Sequence, residues 1–122
     1  MNQHDWIKNI VTCFYDKAKS DILIGYHFRH IENFDEHIPR IISFWEIQLL
    51  GKSLNPIENN FDVLNIHVPL HIKRGELGRW LILLKETFHQ ELLRAPEMRD
   101  LSEIWMKKLD FFEKTFSGFF RF

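Results

Sequence analysis

Cysteine is nearly absent from this chain of 122 residues, and no block of like charge reaches five residues. Because Cys13 is the only cysteine, an internal disulfide is excluded and a reducing compartment is expected. The formal net charge of −1 argues against a nucleic-acid-binding protein, because such proteins usually carry a basic surface patch. Uninterrupted apolar runs such as 80–84 are far shorter than the about 20 residues that cross a bilayer, and the polar start 1–5 lacks the layout of a signal peptide. We therefore expect a cytoplasmic protein with no membrane and no nucleic-acid partner.

Glycine and proline are also scarce, with five and four copies, and no Asn-Gly or Asp-Gly hairpin turn occurs. No sustained alternation of polar and apolar residues marks a strand. A chain of this length can bury roughly two thirds of the surface that it exposes when unfolded, which suffices for one core. We therefore expect a single all-α domain over residues 1–122.

Aromatic residues are abundant: the chain has twelve Phe, four Trp and two Tyr, together with seven His. Apolar residues recur at three- and four-residue spacing in several segments, which predicts amphipathic helices. The predicted elements are a helix from Asp5 to about Ser20, a short segment from Asp21 to Ile31, helices over Asp35–Leu50 and Arg74–Ala95, and a last helix from Pro96 onward. An irregular apolar span over 52–72 separates the second and third long helices. Composition leaves open whether the aromatic rings fill a core or enclose a flat apolar guest.

The histidines do not favour a zinc site. His67 and His71 are four residues apart, but Pro69 between them disrupts the helical geometry that would aim both rings at one ion. His27 and His30 are three apart, without the cysteine or carboxylate partners of a zinc finger. Neither a Gly-x-Ser-x-Gly motif nor a glycine-rich phosphate loop occurs, so hydrolase chemistry has no support in the sequence.

Three polar side chains lie beside apolar faces on different predicted helices. Tyr15 follows Phe14 on the first, His37 lies one turn before Ile41 on the second, and Trp80 begins the apolar stripe of the third. Each alone is commonly a core residue whose polar tip reaches a backbone carbonyl. Together they describe three hydrogen-bond donors around one apolar space.

Six short motifs occur along the chain. They are Phe14-Tyr15-Asp16-Lys17, Gly25-x-x-Phe28, Asp35-Glu36-His37-Ile38-Pro39-x-Ile41-x-x-Phe44-Trp45, Leu49-Leu50-Gly51, His67-x-Pro69-Leu70-x-Ile72 and Arg79-Trp80-Leu81-x-Leu83. In order and spacing this set resembles the third group of truncated haemoglobins, a family of bacterial globins, and the resemblance covers about residues 14–88. It implies the truncated globin fold, a two-over-two helical sandwich around haem b (iron protoporphyrin IX).

The resemblance also implies roles for individual residues. His67 would bind the haem iron on the proximal side, and Phe28 would pack flat on the porphyrin. Tyr15, His37 and Trp80 would face the ligand on the opposite side, with His37 also a candidate sixth ligand of the iron.

Haem needs apolar walls and a cation near its two carboxylates. We expect Arg40 to pair with a propionate. The residues expected to line the haem are Ile41, Phe44, Trp45 and Leu77. With a single histidine on the iron, the sixth position stays open to a diatomic ligand.

These implications predict a protein that reversibly binds O2 and other small ligands such as NO, CO and cyanide. Donors aimed at the partial negative charge of bound O2 slow its release, which favours chemistry on O2, NO or peroxide over transport. NO dioxygenase or peroxidase-like activity is therefore the candidate enzyme function, with an unidentified reductase as electron donor and a monomer or weak dimer as the assembly. The alternative is a cofactor-free, all-helical interaction domain with an aromatic core.

Overall fold

The structure is a computed structural model that describes residues 1–29, 34–51 and 74–120. Within these ranges the chain forms five α-helices and no strand, which confirms the predicted all-α class. The helices are α1 (Gln3–Ser20), α2 (Gly25–Arg29), α3 (Phe34–Leu50), α4 (Arg74–Arg94) and α5 (Arg99–Phe120), with a 3-10 turn at Pro96–Met98. The irregular span predicted over 52–72 lies outside the described residues.

The first helix begins earlier than the sequence predicts. Its N-cap is Asn2, three residues before the predicted start at Asp5. The Asn2 side-chain oxygen accepts a hydrogen bond from the Asp5 backbone N–H at 2.8 Å, which satisfies one of the free donors of the first turn. Asp5 therefore lies inside that turn, where its negative charge interacts favourably with the positive end of the helix dipole.

The bounds of α3 and α4 agree with the predicted ones to within one residue. Because α3 already starts before Asp35, Pro39 lies in its second turn, where the proline ring removes one helical N–H donor. Gly51 follows the helix with a φ of 82°, the left-handed conformation with which glycine commonly ends a helix.

Helix α1 organises the core, because it packs against α2, α3 and α4. Its buried residues follow the three- and four-residue spacing of one helix face. They are Trp6, Ile7, Ile10, Val11, Phe14 and Ala18. Helix α5 contacts α4 and α3, with Leu101, Trp105 and Leu109 buried at successive turns. None of the described helices is long and apolar enough to span a membrane.

A group of rings joins α1, α3, α4 and α5 and is called the core cluster here. It consists of Trp6, Phe44, Trp45, Phe88, Trp105 and Phe112. The Trp6 ring stacks on Phe88 with centroids 5.9 Å apart and meets Trp105 edge-on at 6.0 Å. The indole nitrogens of Trp6 and Trp105 are buried without a hydrogen-bond partner in the described part of the chain. Apolar packing therefore positions these rings, and part of the aromatic surplus is ordinary core.

Candidate functional site

A second group of rings, called the Phe14 cluster, lies where α1, α2 and α4 meet. It consists of Phe14, Tyr15, Phe28 and Trp80. The Phe14 centroid lies 5.2 Å from Tyr15, 6.3 Å from Phe28 and 5.8 Å from Trp80. Tyr15 and Phe28 also meet directly at 5.3 Å, and all four contacts have the edge-to-face geometry that aromatic rings favour. Three residues predicted for the site, one from each helix, are thus brought together around a single buried ring.

The local sequence explains this arrangement. Phe14 continues the buried face of α1, whereas Tyr15, one position further, lies at the edge of that face and is partly buried. The turn over residues 21–24 reverses the chain, so that Phe28 on α2 returns to α1. Trp80 lies in the second turn of α4, the helix that packs most extensively on α1.

The polar groups of the Phe14 cluster are hydrogen-bond donors. Burial raises the pKa of the Tyr15 phenol well above its usual value near 10, because the phenolate would lose its hydration. The hydroxyl therefore keeps its proton at neutral and moderately alkaline pH. The Trp80 indole donates and cannot accept. The cluster thus combines apolar ring surfaces with a phenol and an indole donor.

Helix α3 carries five of the predicted site residues. Ile41 and Trp45 are buried and Phe44 is partly buried, and the rings of Phe44 and Trp45 pack against α5 in the core cluster. His37 and Arg40 are partly buried, and among the residues that the structure describes neither makes a hydrogen bond, ion pair or ring contact. The structure therefore places Trp45 in the core, and it does not bring His37 into ring contact with the Phe14 cluster.

A buried carboxylate lies one turn before Trp80 on α4. Glu76 is 5% exposed. Its Oε2 atom accepts a hydrogen bond from the Tyr26 hydroxyl and lies 3.0 Å from His27 Nε2. Acceptance by Glu76 stabilises the protonated phenol and raises the pKa of Tyr26. Helix α2 is thereby joined to α4 through side chains that directly precede Phe28 in the sequence.

A more exposed ion pair joins α4 to the turn after α1. Arg79 Nε and Nη2 donate to Asp21 Oδ2 at 2.9 and 2.8 Å. The other carboxylate oxygen of Asp21 accepts from the backbone N–H groups of Leu23 and Ile24 at 2.9 and 3.2 Å. The hydrogen bond from Arg79 is the main reason that the pKa of Asp21 is lowered. This one carboxylate therefore caps the turn and fixes it to α4.

Sequence reasoning did not identify Glu76, although a signal for it exists. Glu76, Trp80 and Leu83 follow the i, i+4, i+7 spacing of one helix face, so that a carboxylate stands in line with an apolar stripe. A carboxylate in that position needs polar partners, since burying an unpaired charge is costly. Those partners lie 49 and 50 residues away in the sequence, and spacing alone does not reveal them. Leu77, predicted for the site, is buried beside Glu76 on α4.

The predicted iron ligand His67 lies outside the described residues, as does His71. In the described ranges, no three His, Cys, Asp or Glu side chains are grouped so that they could hold a metal ion. A haem with one histidine ligand does not require such a group. The Phe14 cluster contains a phenol, an indole and aromatic rings, and the resemblance assigns a phenol and an indole to the ligand side of a haem.

No protein-family model matches the chain, and comparison with curated proteins and with solved structures gives no match. The residues of the chain and the motifs they form are therefore the basis for the proposed function.

Proposed function

We propose that this chain is a haem-binding globin of the truncated type, a two-over-two helical sandwich around haem b that binds O2 and related diatomic ligands. The observation that supports the proposal is the Phe14 cluster. The motif resemblance assigns Tyr15, His37 and Trp80 to the ligand side of a haem and Phe28 to the porphyrin face. Tyr15, Phe28 and Trp80, from separate helices, meet around one ring, whereas His37 makes no ring contact with them in the described ranges. A shared function at that point accounts for their convergence.

The chemistry of the surrounding residues suits a flat apolar cofactor with two carboxylates. Phe28 contributes an aromatic ring, and Ile41 and Leu77 contribute aliphatic side chains of the apolar core, which are the residue types that the walls of a porphyrin pocket need. Arg40, which has no ion-pair partner in the described ranges, would hold a propionate, and His67 would hold the iron. Bound haem would supply an iron atom that takes up O2, NO, CO or cyanide.

Tyr15 and Trp80 would act on the ligand. The phenol keeps its proton because of burial, so it can donate to a partly negative oxygen atom, and the Trp80 indole offers a second donor. Exclusion of water strengthens such hydrogen bonds. Each is worth about 1.5 to 3 kcal/mol, which corresponds to roughly tenfold to a hundredfold slower release. Slow release favours NO dioxygenase or peroxidase-like chemistry with an external reductase over transport.

The second candidate is a cofactor-free interaction domain, and the core cluster favours it. Six of the aromatic rings pack against one another in α1, α3, α4 and α5. Trp45, which the motif places near the haem, belongs to that cluster and is 8% exposed. Core packing alone therefore accounts for part of the aromatic surplus.

Absorption spectroscopy during a haem titration separates the two candidates. We expect saturation at one haem per chain, an intense band at the violet edge of the visible spectrum, and a shift of that band when CO is added to the reduced protein. Tyr15→Phe is the matched control, because removal of the hydroxyl should leave haem uptake unchanged. A folded helical protein that takes up no haem would refute the haem proposal and favour the cofactor-free alternative.

A further inference from the structure

The contact between Glu76 and α2 is next to the proposed site but is not part of it. We propose that Glu76 is a positioning residue, which holds Phe28 against Tyr15 by anchoring α2 to the first turn of α4. The inference rests on the proposed function, and it adds a residue for which the motifs give no role.

Helix α2 needs an anchor because it has only five residues, from Gly25 to Arg29. A helix of that length is unstable alone, since nucleation costs more than so few hydrogen bonds return. Its position therefore depends on side-chain contacts. Phe28 contributes ring contacts to Phe14 and Tyr15, while Tyr26 and His27 contribute polar contacts to α4.

Glu76 is suited to this role because its carboxylate is buried. Ring contacts allow sliding, whereas a buried carboxylate requires partners at defined positions. Tyr26 and His27 meet the same oxygen atom, Oε2, and together restrict both the position and the rotation of α2. Phe28 is the next residue in the chain, so the position of its ring follows from theirs.

The other link to α4 is a weaker candidate for positioning. The Arg79 side chain is 38% exposed, and only the Asp21 side chain of the pair is buried, at 7%, so water and salt screen this pair more than the contacts of Glu76. It also joins α4 to the turn at Asp21, which lies further from Phe28 in the sequence than Tyr26 and His27 do. Glu76 is therefore the residue whose loss should move Phe28.

The chain offers a matched control at Glu91. Glu76 and Glu91 are both 5% exposed and both lie on α4. Glu91 Oε1 lies 3.6 Å from Cys13 Sγ on α1 and 3.9 Å from Arg94 Nη1, and no hydrogen bond or ion pair among the described residues joins Glu91 to α2. Because a helix rises about 1.5 Å per residue, Glu91 is roughly 22 Å along the axis from Glu76. Glu76→Ala and Glu91→Ala thus remove the same buried group at different distances from the site.

The experiment compares the two variants in full-length protein by two measurements. The first is the NOE between the ring protons of Tyr15 and Phe28 in the purified chain, in its CO form if haem binds. The second is the O2 release rate of the haem-loaded ferrous protein. We expect Glu76→Ala to lose the NOE and to change the release rate about fivefold or more, the effect of losing one hydrogen-bond contact. Glu91→Ala should preserve both, even if its unfolding temperature falls equally.

Equal behaviour of the two variants in the NOE and in the release rate would overturn the inference, because it would make Glu76 a structural residue only. If Glu76→Ala does not fold, Tyr26→Phe replaces it, since Tyr26 is 38% exposed and loses only its hydroxyl. A smaller change in the same direction is then expected, and the absence of any change would refute the role of Glu76 as an anchor. Failure of the wild type to bind haem would refute the proposed function alone, because the NOE still tests the anchor.

Discussion

At the residue scale, Tyr15 combines burial with a donor that does not ionise near neutral pH. Its ring contacts Phe14 and Phe28 at 5.2 and 5.3 Å, so its position is set by apolar packing. The raised pKa keeps the phenol protonated, and a protonated phenol can stabilise a partly negative ligand atom. Packing and electrostatics therefore both suit Tyr15 for a role toward a bound ligand.

The iron ligand can be tested by comparing two neighbouring histidines. His67→Gly should remove the proximal bond and weaken haem retention, with partial rescue by added imidazole. His71→Gly should leave the ferrous spectrum nearly unchanged. Absorption spectra of the two variants with and without imidazole measure this, and haem loss in the His71 variant alone would show that the motif assignment is wrong.

Arg40 provides a test at the rim of the proposed haem site. It is partly buried on α3, and an ion pair between its guanidinium and a propionate near the surface would be worth about 0 to 1 kcal/mol. Arg40→Ala should therefore speed transfer of haem to an acceptor protein by a few-fold, with the effect shrinking at high salt because ions screen the pair. A tenfold change that does not depend on salt would indicate a packing role instead.

At the scale of elements, the turn over 21–24 determines where α2 begins. The Asp21 carboxylate accepts two backbone N–H bonds within the turn and a double contact from Arg79. Its pKa is lowered in the folded state, so its contribution to stability is present above the usual aspartate value of about 3.9. That contribution is lost as the pH falls through the lowered value, when the carboxyl takes up a proton.

Substitutions at Asp21 should separate the effect of its hydrogen bonds to the turn from the effect of its negative charge. Asp21→Ala should lower the free energy of unfolding at pH 7 by about 1 kcal/mol, the typical worth of a capping side chain. Asp21→Asn should retain most of the cap but reduce the loss of stability between pH 5 and pH 3. Urea titrations over that range measure both effects, with the exposed Asp110→Asn on α5 as a control. If Asp21→Asn loses as much stability between pH 5 and pH 3 as the wild type does, the charge of Asp21 does not contribute to the acid sensitivity.

Helix periodicity predicted the elements well, and local hydrogen bonds explain the differences. The stripe from Trp6 to Ala18 identified α1, but the start at Gln3 depends on the Asn2 side chain accepting from a backbone N–H. The short segment after Asp21 was expected without a definite structure. It forms a turn and a five-residue helix because side chains distant in the sequence hold it, and spacing does not encode such contacts.

At the scale of the whole molecule, buried carboxylates are the feature that sequence reasoning missed. Glu46, Glu76 and Glu91 are all buried, and each meets side chains from α1 or α2. Glu46 contacts His4, and Glu91 contacts Cys13. Charged residues are ordinarily placed on the surface from sequence, and only the packing of whole helices reveals partners that make burial tolerable.

The two ring clusters divide the molecule into a core and a proposed site. The core cluster lies in α1, α3, α4 and α5, whereas the Phe14 cluster lies in α1, α2 and α4. Of the two clusters, only the Phe14 cluster contains a phenol. The resemblance assigned Tyr15, His37 and Trp80 to the ligand side of a haem. The described fold brings Tyr15 and Trp80 to the same buried ring together with Phe28, but it does not bring His37 into ring contact with them, and the roles of these residues and of His67 stay predictions.

The O2 release rate of the haem-loaded ferrous protein tests the central claim most directly. Stopped-flow mixing with excess CO measures this rate for the wild type and for Tyr15→Phe, with His37→Leu as a control for a gating residue. We predict slow release in the wild type, roughly tenfold to a hundredfold faster release in Tyr15→Phe, and in His37→Leu a larger change in the ligand-free spectrum than in release. Rapid release from the wild type that Tyr15→Phe leaves unchanged would contradict the proposed donor pocket.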